Sequence, residues 1–429
     1  MRNELTLIRD MERILPRSRR KFVPGETPLR IAQPLFDRED IRLFVESSVE
    51  MFETSWIGIG HYTHEFEEAF SSRFGGRKAL FVNSGTSANY LALSSVTAAM
   101  AGVAGGNCLT TALTFPSTIN PVIASGLKPR LLDIGLPSYS VDMDEVEGAV
   151  DGKTRGIVVP HILGLPQPAA ELRNLANRLS VFFIEDVCDA IGGSYRGRPL
   201  GSYGDPSTFS FYAAHQITTG EGGMLLTSDK EIYSRARSLR DWGKTVTEDE
   251  GEYAIRKLEH RRTSRLPADY DARFIFDTKG FNLKPIDIQA ALGISQLRKL
   301  DQFTGRRREN FNSLADGLRD RGADDSLIIA EPIAGSDVSW FGFPLVVEKG
   351  LKRGRVVSHL ESRNIETRPI LAGNIEDQPA YSRSDFTRAS KLTNTERVTR
   401  DGFFVGLHPA LGSEEMDYIA GQLSIAVKL

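Results

Sequence analysis

The chain has 429 residues, of which 40% are apolar and 25% charged, with a formal net charge of −3. That composition excludes a disordered chain, and the charge gives no electrostatic case for a nucleic acid or an anionic membrane as partner. No stretch reaches the ~20 apolar residues of a membrane helix, and two cysteines, Cys108 and Cys188, exclude a disulfide framework and fit a reducing, cytoplasmic setting.

Met1 to Lys21 reads as a short amphipathic helix ending in the basic run Arg17 to Lys21, without the apolar core of a signal peptide. Ala79–Val82 then reads as a strand and Ser87–Ala99 as a helix. Strands at Arg130–Ile134 and Gly156–Pro160 flank a helix at Met143–Val150. A helix at Ala170–Leu179 leads into a strand at Val181–Glu185, and Thr208–Phe211 and Gly223–Thr227 are further strands. This alternation, with strands apolar throughout, predicts a mainly parallel sheet covered by helices on both faces. Ligands of such sheets sit at the carboxyl ends of the strands. Glu248 to Asp271 is charged and weakly patterned and reads as an exposed excursion. Ile286–Leu300 reads as a helix continued through Phe311–Leu318, and a second α+β unit starts near residue 330.

Three segments carry chemistry. Asn83-Ser84-Gly85-Thr86-Ser87-Ala88-Asn89 follows a strand and opens a helix, where free N–H groups, hydroxyls and the helix dipole suit a phosphate. A plain helix cap gives the same pattern. Glu185-Asp186 ends a strand, where a carboxylate is placed to hold a protonated pyridine nitrogen; a solvated loop acid is the alternative. Ser210-Phe211-Tyr212-Ala213-Ala214-His215 runs into Gly220-Glu221-Gly222-Gly223, whose glycines allow close backbone packing around a bound group.

Together these segments resemble the sugar aminotransferase-like DegT/DnrJ/EryC1 family of fold-type I pyridoxal phosphate (PLP) enzymes, from about Lys21 to the C-terminus. The resemblance implies an α/β fold with a mainly parallel central sheet. It also implies three parts: an N-terminal helical extension (1–30), a large cofactor-binding domain (31–300) and a smaller C-terminal α+β domain (301–429). Gly85, Thr86, Ser87 and Ser210 match the family's phosphate ligands, and Phe115 matches its ring-stacking aromatic. Asp186 matches the partner of the pyridine nitrogen. Asn282, in Gly280-Phe281-Asn282-Leu283, matches an asparagine that reaches the phosphate from the partner subunit, which implies a homodimer with shared active sites.

Position 215 departs from the family. Five residues after its phosphate-binding serine the family carries a lysine that bonds the cofactor; here that place is His215. A branch with this substitution, the pyridoxamine phosphate (PMP)-dependent sugar 3-dehydratases, resembles the chain also at Asp241-Trp242-Gly243, Trp340-Phe341-Gly342-Phe343-Pro344, Ala372-Gly373-Asn374 and Leu392-Thr393-Asn394-Thr395. The resemblance implies removal of the C3 hydroxyl from a nucleotide-linked 4-keto sugar, with His215 as base, Asp186 on the ring nitrogen and Asp189 near the ring hydroxyl. Tyr212, Arg368 and His161 are candidates for the substrate site. Part of the branch carries an iron–sulfur cluster on four cysteines. Here Cys188 stands at the first place, but Val246, Glu248 and Arg256 stand at about the other three, so no cluster is expected. The expected reaction is then redox-neutral, with glutamate regenerating PMP. The need for a reductase partner stays open, as does an aminotransferase cycle through Lys230, Lys244, Lys279 or Lys284.

Overall fold

The computed structural model describes residues 2–12, 21–98, 100, 103–245, 266–267, 270–271 and 274–429. Most of the basic run 17–21 and of the predicted excursion 248–271 lies outside the described residues, as do Val246, Glu248 and Arg256.

Helices α1 (Arg2–Glu12), α2 (Arg38–Thr54) and α3 (His61–Arg73) precede β1 (Lys78–Val82) and α4 (Gly85–Thr97). The chain then alternates through β2 (Asn107–Thr111), α5 (Pro116–Ala124), β3 (Lys128–Leu132), α6 (Met143–Gly148), β4 (Thr154–Pro160), α7 (Ala169–Leu179) and β5 (Phe182–Asp186). A hairpin of β6 (Ser194–Tyr195) and β7 (Arg198–Pro199) leads to β8 (Ser207–Ser210), β9 (Gly223–Thr227) and α8 (Lys230–Arg240). Helices α9 (Asp287–Arg298) and α10 (Leu300–Arg319) connect to β10 (Leu327–Ile329), β11 (Ser336–Asp337), β12 (Gly342–Val347), α11 (Arg353–Ser362) and β13 (Thr367–Arg368). The chain ends with β14 (Thr387–Arg388), α12 (Thr393–Asp401), β15 (Gly402–Gly406) and α13 (Ser413–Ala426).

The main sheet has eight strands in the order β1-β9-β8-β5-β4-β2-β3-β14. The ladders from β8 through β14 are parallel, and those of β9 with β1 and β8 are antiparallel. Neighbouring residues of one strand feed opposite cores, as the two-residue period requires. Phe81, Ile157 and Phe183 enter one core, and Leu80, Val158 and Ile184 the other. Both faces are therefore covered, which is why these strands read as continuous apolar runs.

A second sheet, β10-β12-β15-β13, is antiparallel and packs with α10, α11 and α13. The expected single helix across residue 299 is two helices. Leu297 and Leu300 still lie in the core of Phe81 and Phe183, and Leu314 and Leu318 lie in the core under the second sheet, so the break at Lys299 falls where the chain passes from one core to the other. Strand β14 returns to the edge of the main sheet. Asp133, just past β3, accepts from the N–H groups of Asn394 and Thr395 and so caps α12 across the two units.

Candidate active site

The carboxyl ends of β1, β5 and β8 and the amino end of α4 meet at one place. Ser84 is the N-cap of α4, its Oγ accepting from the Ser87 N–H at 3.0 Å. The Ser87 hydroxyl donates to Asn83 Oδ1 at 2.6 Å and so completes the cap. The N–H groups of the first turn have no partner inside the helix, and Thr86 at that turn is exposed. A β-carbon on Gly85 would lie 2.6 Å from Ser210 Cβ, so glycine is what lets β8 approach the helix end. Ser210 points at α4 because its neighbours point the other way. Phe209 and Phe211 pack on Phe70 and Phe66 with ring centroids 4.9 and 5.3 Å apart.

Asp186 ends β5 and is buried at 3% exposure. Its Oδ2 accepts from Asn89 Nδ2 at 2.9 Å and Thr118 Oγ1 at 2.8 Å, and its Oδ1 from the Cys188 N–H at 3.1 Å. Thr208 Oγ1 in turn fixes Asn89 by donating to its Oδ1 at 2.6 Å. No cationic side chain of the described residues lies within ion-pair distance of Asp186. Asn89, Thr118 and Thr208 are supports that the sequence reading missed. The only signal was that Asn89 closes the Asn83–Asn89 run.

His215 lies on the loop after β8, and its Nδ1 is 3.5 Å from Asp189 Oδ1. Nδ1 is buried and makes no hydrogen bond. Burial, and then the charge of Arg307, hold the imidazole down at about 3. Burial, and then the Asp186 carboxylate, push the Asp189 carboxyl up to about 7. The Phe341 ring meets the imidazole edge-on at 5.3 Å, and Tyr212, half exposed, lies 6.4 Å away on the same loop.

The remaining candidates divide. Phe115 is exposed at the start of α5, after β2. Asn282 is exposed on a loop whose Leu283 carbonyl accepts from the Asn83 N–H at 3.0 Å, beside the α4 cap. Arg368 is paired with Glu366 on β13. It sits opposite Phe404, whose ring lies 6.0 Å from that of Phe341. His161 is fully buried and both ring nitrogens are engaged: Nδ1 accepts from the Gln167 N–H at 2.9 Å and Nε2 donates to Glu185 Oε1 at 3.0 Å. Glu185 also accepts from the N–H groups of Gly201, Tyr203 and Gly204. Burial works against its charge, yet these bonds hold its carboxyl below the usual range. Cys188 is mostly enclosed, and burial, followed by Asp186, pushes its thiol up.

The model of the DegT/DnrJ/EryC1/StrS aminotransferase family matches residues 39–424. The chain belongs to that family. It is 40% identical over 410 residues to a dTDP-4-dehydro-2,6-dideoxy-D-glucose 3-dehydratase of Saccharopolyspora spinosa, covering 94% of this chain and 87% of the relative. Its fold matches the E. coli GDP-4-keto-6-deoxy-D-mannose-3-dehydratase solved with hydrated PLP, with a TM-score of 0.81 and 27% identity over 92% of this chain and 99% of the other. A structure of a GDP-4-keto-6-deoxymannose-3-dehydratase with a trapped PLP-glutamate geminal diamine matches equally, at a TM-score of 0.81 and 27% identity, over 92% and 100% of the two chains. The fold is that of the fold-type I PLP enzymes.

The residues present fit the family's cofactor. Asp186 is a buried carboxylate with three donors and, among the described residues, no cation, and a protonated pyridine nitrogen would supply the missing charge. The open helix end beside Ser210 suits a phosphate. The lysines named from the sequence serve elsewhere where their partners are seen. The Lys284 amine donates to Asp241 at 2.6 Å and lies 3.3 Å from the centre of the Trp242 ring, with Lys244 beside the same pair. Among the described residues no group of three or more His, Cys, Asp or Glu is placed to hold a metal, and no helix is long and apolar enough to cross a membrane.

Proposed function

We propose that this protein is a PMP-dependent dehydratase that removes the C3 hydroxyl of a nucleotide-linked 4-keto sugar in the cytoplasm, without a reductase and with glutamate restoring the cofactor. The observation that carries the reading is His215: an imidazole where the family has its cofactor-binding lysine, on the loop after the strand that carries Ser210. When bound, PMP supplies an amine that condenses with the C4 ketone and a ring that accepts an electron pair.

The residues divide the work. The first-turn N–H groups of α4, at Gly85 and Thr86, and the hydroxyls of Thr86 and Ser210 bind the phosphate, while Ser87 holds the cap that orients them. Phe115 stacks on the ring. Asp186, fixed by Asn89 and Thr118, keeps the ring nitrogen protonated. His215 would take at Nε2 the proton lost from the methylene carbon that bears the cofactor's amine and deliver it to the departing hydroxyl, which leaves as water. Asp189, 3.5 Å from Nδ1, favours the ring proton at that nitrogen and so leaves Nε2 free to act, the role a carboxylate has beside the histidine of a catalytic triad. Tyr212 and Arg368 border the sugar or glutamate. His161 acts through Glu185 on the fold.

The balance closes without a reductase, because glutamate is the two-electron reductant. The sugar loses one oxygen, glutamate gains one as it becomes 2-oxoglutarate, and ammonia leaves. The adduct named for the second solved relative supports glutamate as the donor. A homodimer with Asn282 reaching the partner's phosphate is supported by the apolar surface around that residue. Trp242, Phe281, Ile286 and Ile57 are exposed; the Trp242 N–H donates to the Phe281 carbonyl, and Asp287, next to Ile286, donates its N–H to the Ile57 carbonyl.

The test is incubation with PMP, L-glutamate and a panel of nucleotide 4-keto-6-deoxy sugars, without reductase. Loss of the C3 oxygen with release of ammonia is expected. Gain of an amino group on the sugar would instead make the protein an aminotransferase.

A further inference from the structure

Arg307 and Arg240 are the two largest fully buried side chains of the described residues. Arg240 has a carboxylate, Glu67, at 3.2 Å. Arg307 has none within ion-pair distance among the described residues. It donates instead to three main-chain oxygens: from Nη1 to Trp340 O at 3.0 Å and Phe341 O at 2.8 Å, and from Nη2 to His215 O at 3.4 Å. Its Nε is buried and unpartnered, as is Gln216 Oε1 nearby. The cavity that His215, Gln216 and Arg307 share measures about 10 Å³, room for about one water and too little for a carboxylate or phosphate counter-ion.

A buried cation without a counter-ion is costly. A methionine or leucine on α10 would avoid that cost but leave these three oxygens without their donor, so the arginine is held by what it bonds and brings an unpaired charge with it. Arg307 lies directly behind the base and ties the His215 carbonyl to the Trp340–Phe341 turn, whose Phe341 ring abuts the imidazole. Among the described residues four groups face His215: Asp189 from the loop after β5, Tyr212 from its own loop, Phe341 from just before β12 and Arg307 from α10. Of these only Asp189 can carry a charge that favours a protonated imidazole.

We propose that Arg307 is a positioning residue for the base: it fixes the His215 main chain, and its unneutralised charge keeps the imidazole in the proton-accepting form. This rests on the reading of His215 as the base. It goes further in naming what sets the protonation state of that base. Burial contributes in the same direction, so removing Arg307 weakens the effect and does not abolish it.

The experiment follows the imidazole directly, in the cofactor-free full chain labelled with ¹⁵N on its histidine rings. The chain has seven histidines, and the His215 signals are assigned by their loss in His215→Asn. Ring shifts are recorded across pH for the native protein, Arg307→Lys and Arg307→Gln. His215 is expected to stay neutral in the native protein down to acid unfolding and to do the same in Arg307→Lys. In Arg307→Gln its titration is expected to move up by about one unit or more, the size of a nearby like charge. An unchanged titration in Arg307→Gln would overturn the proposal. If Arg307→Gln does not fold, the native curve decides: a His215 already cationic at pH 6 overturns the proposal, and one neutral there with Arg307→Lys matching it supports it. No sugar turnover is read, so failure of the dehydratase reading leaves this result standing, and the reverse also holds.

Discussion

His215 Nδ1 faces Asp189 Oδ1 at 3.5 Å, and the two groups titrate in inverted order, the carboxyl at about 7 and the imidazole at about 3. Below about pH 7 Asp189 is the neutral acid; above it the carboxylate, 3.5 Å from Nδ1, favours the ring proton at that nitrogen and leaves Nε2 as the acceptor.

The first prediction follows. kcat/KM for dehydration rises with pH through a single limb near 7 that belongs to Asp189. Asp189→Asn removes that limb and lowers kcat by about 10²–10⁴. The same substitution has a stability signature. The folded carboxyl titrates above its ordinary value of 3.8, so native stability falls as pH rises from about 4 to 7. Asp189→Asn is then expected to raise Tm at pH 8 relative to the native protein, with a smaller difference at pH 5. A Tm difference that is flat in pH would contradict the buried-acid assignment.

His215→Asn is expected to keep PMP affinity within a few-fold and to lose about 10²–10⁴ in kcat, because only the proton carrier is gone. His215→Lys is expected to give a PLP bond that borohydride fixes, and to shift the product toward amino-group transfer. Mass spectrometry of the reduced protein reads the first outcome and that of the sugar the second. Retained dehydration in His215→Asn would remove His215 from the chemistry.

The phosphate site predicts a binding defect and not a rate defect. Ser210→Ala and Thr86→Ala are each expected to weaken PMP by about 10-fold or more, the worth of a hydrogen bond to a charged group. kcat at saturating PMP should stay near native. Equilibrium titration of cofactor absorbance checks the affinity. Unchanged affinity in both variants would place the phosphate elsewhere.

His161 is expected to act on stability alone. His161→Leu strands the Gln167 N–H and takes one donor from the buried Glu185 carboxylate. A loss of about 1–3 kcal/mol is expected in denaturant unfolding, with KM for the sugar unchanged in the folded fraction. A large KM effect without loss of stability would return His161 to the substrate site.

The sequence disclosed the chemistry-bearing loops because each follows a strand buried on both faces. Gly85, Asp186, Ser210 and His215 all stand at the ends of such runs, where apolar continuity gives way to small and polar residues. The antiparallel setting of β9 was not visible, since a strand's direction depends on its connection and not on its pattern. The break at Lys299 was hidden for a similar reason: the helical period continues across it while the chain turns from one core to the other. Arg307 was hardest to see. It sits in Arg306-Arg307-Arg308, where nothing in the sequence singles out one arginine, and only the path of α10 buries the middle one, which bonds the His215 carbonyl. His161 shows the opposite error of local reading. A histidine at a strand end looks like a site residue until Glu185 and Gln167 are seen to engage both its nitrogens.

The central claim is that the imidazole at position 215 turns an aminotransferase framework to deoxygenation. Its most direct test is the identity of the sugar product formed from PMP, L-glutamate and a nucleotide 4-keto-6-deoxy sugar with no reductase present. The account predicts a 3-deoxy-4-keto sugar, with one ammonia and one 2-oxoglutarate formed for each. A 4-amino sugar that keeps its C3 hydroxyl, or no turnover until a reductase is added, would contradict it.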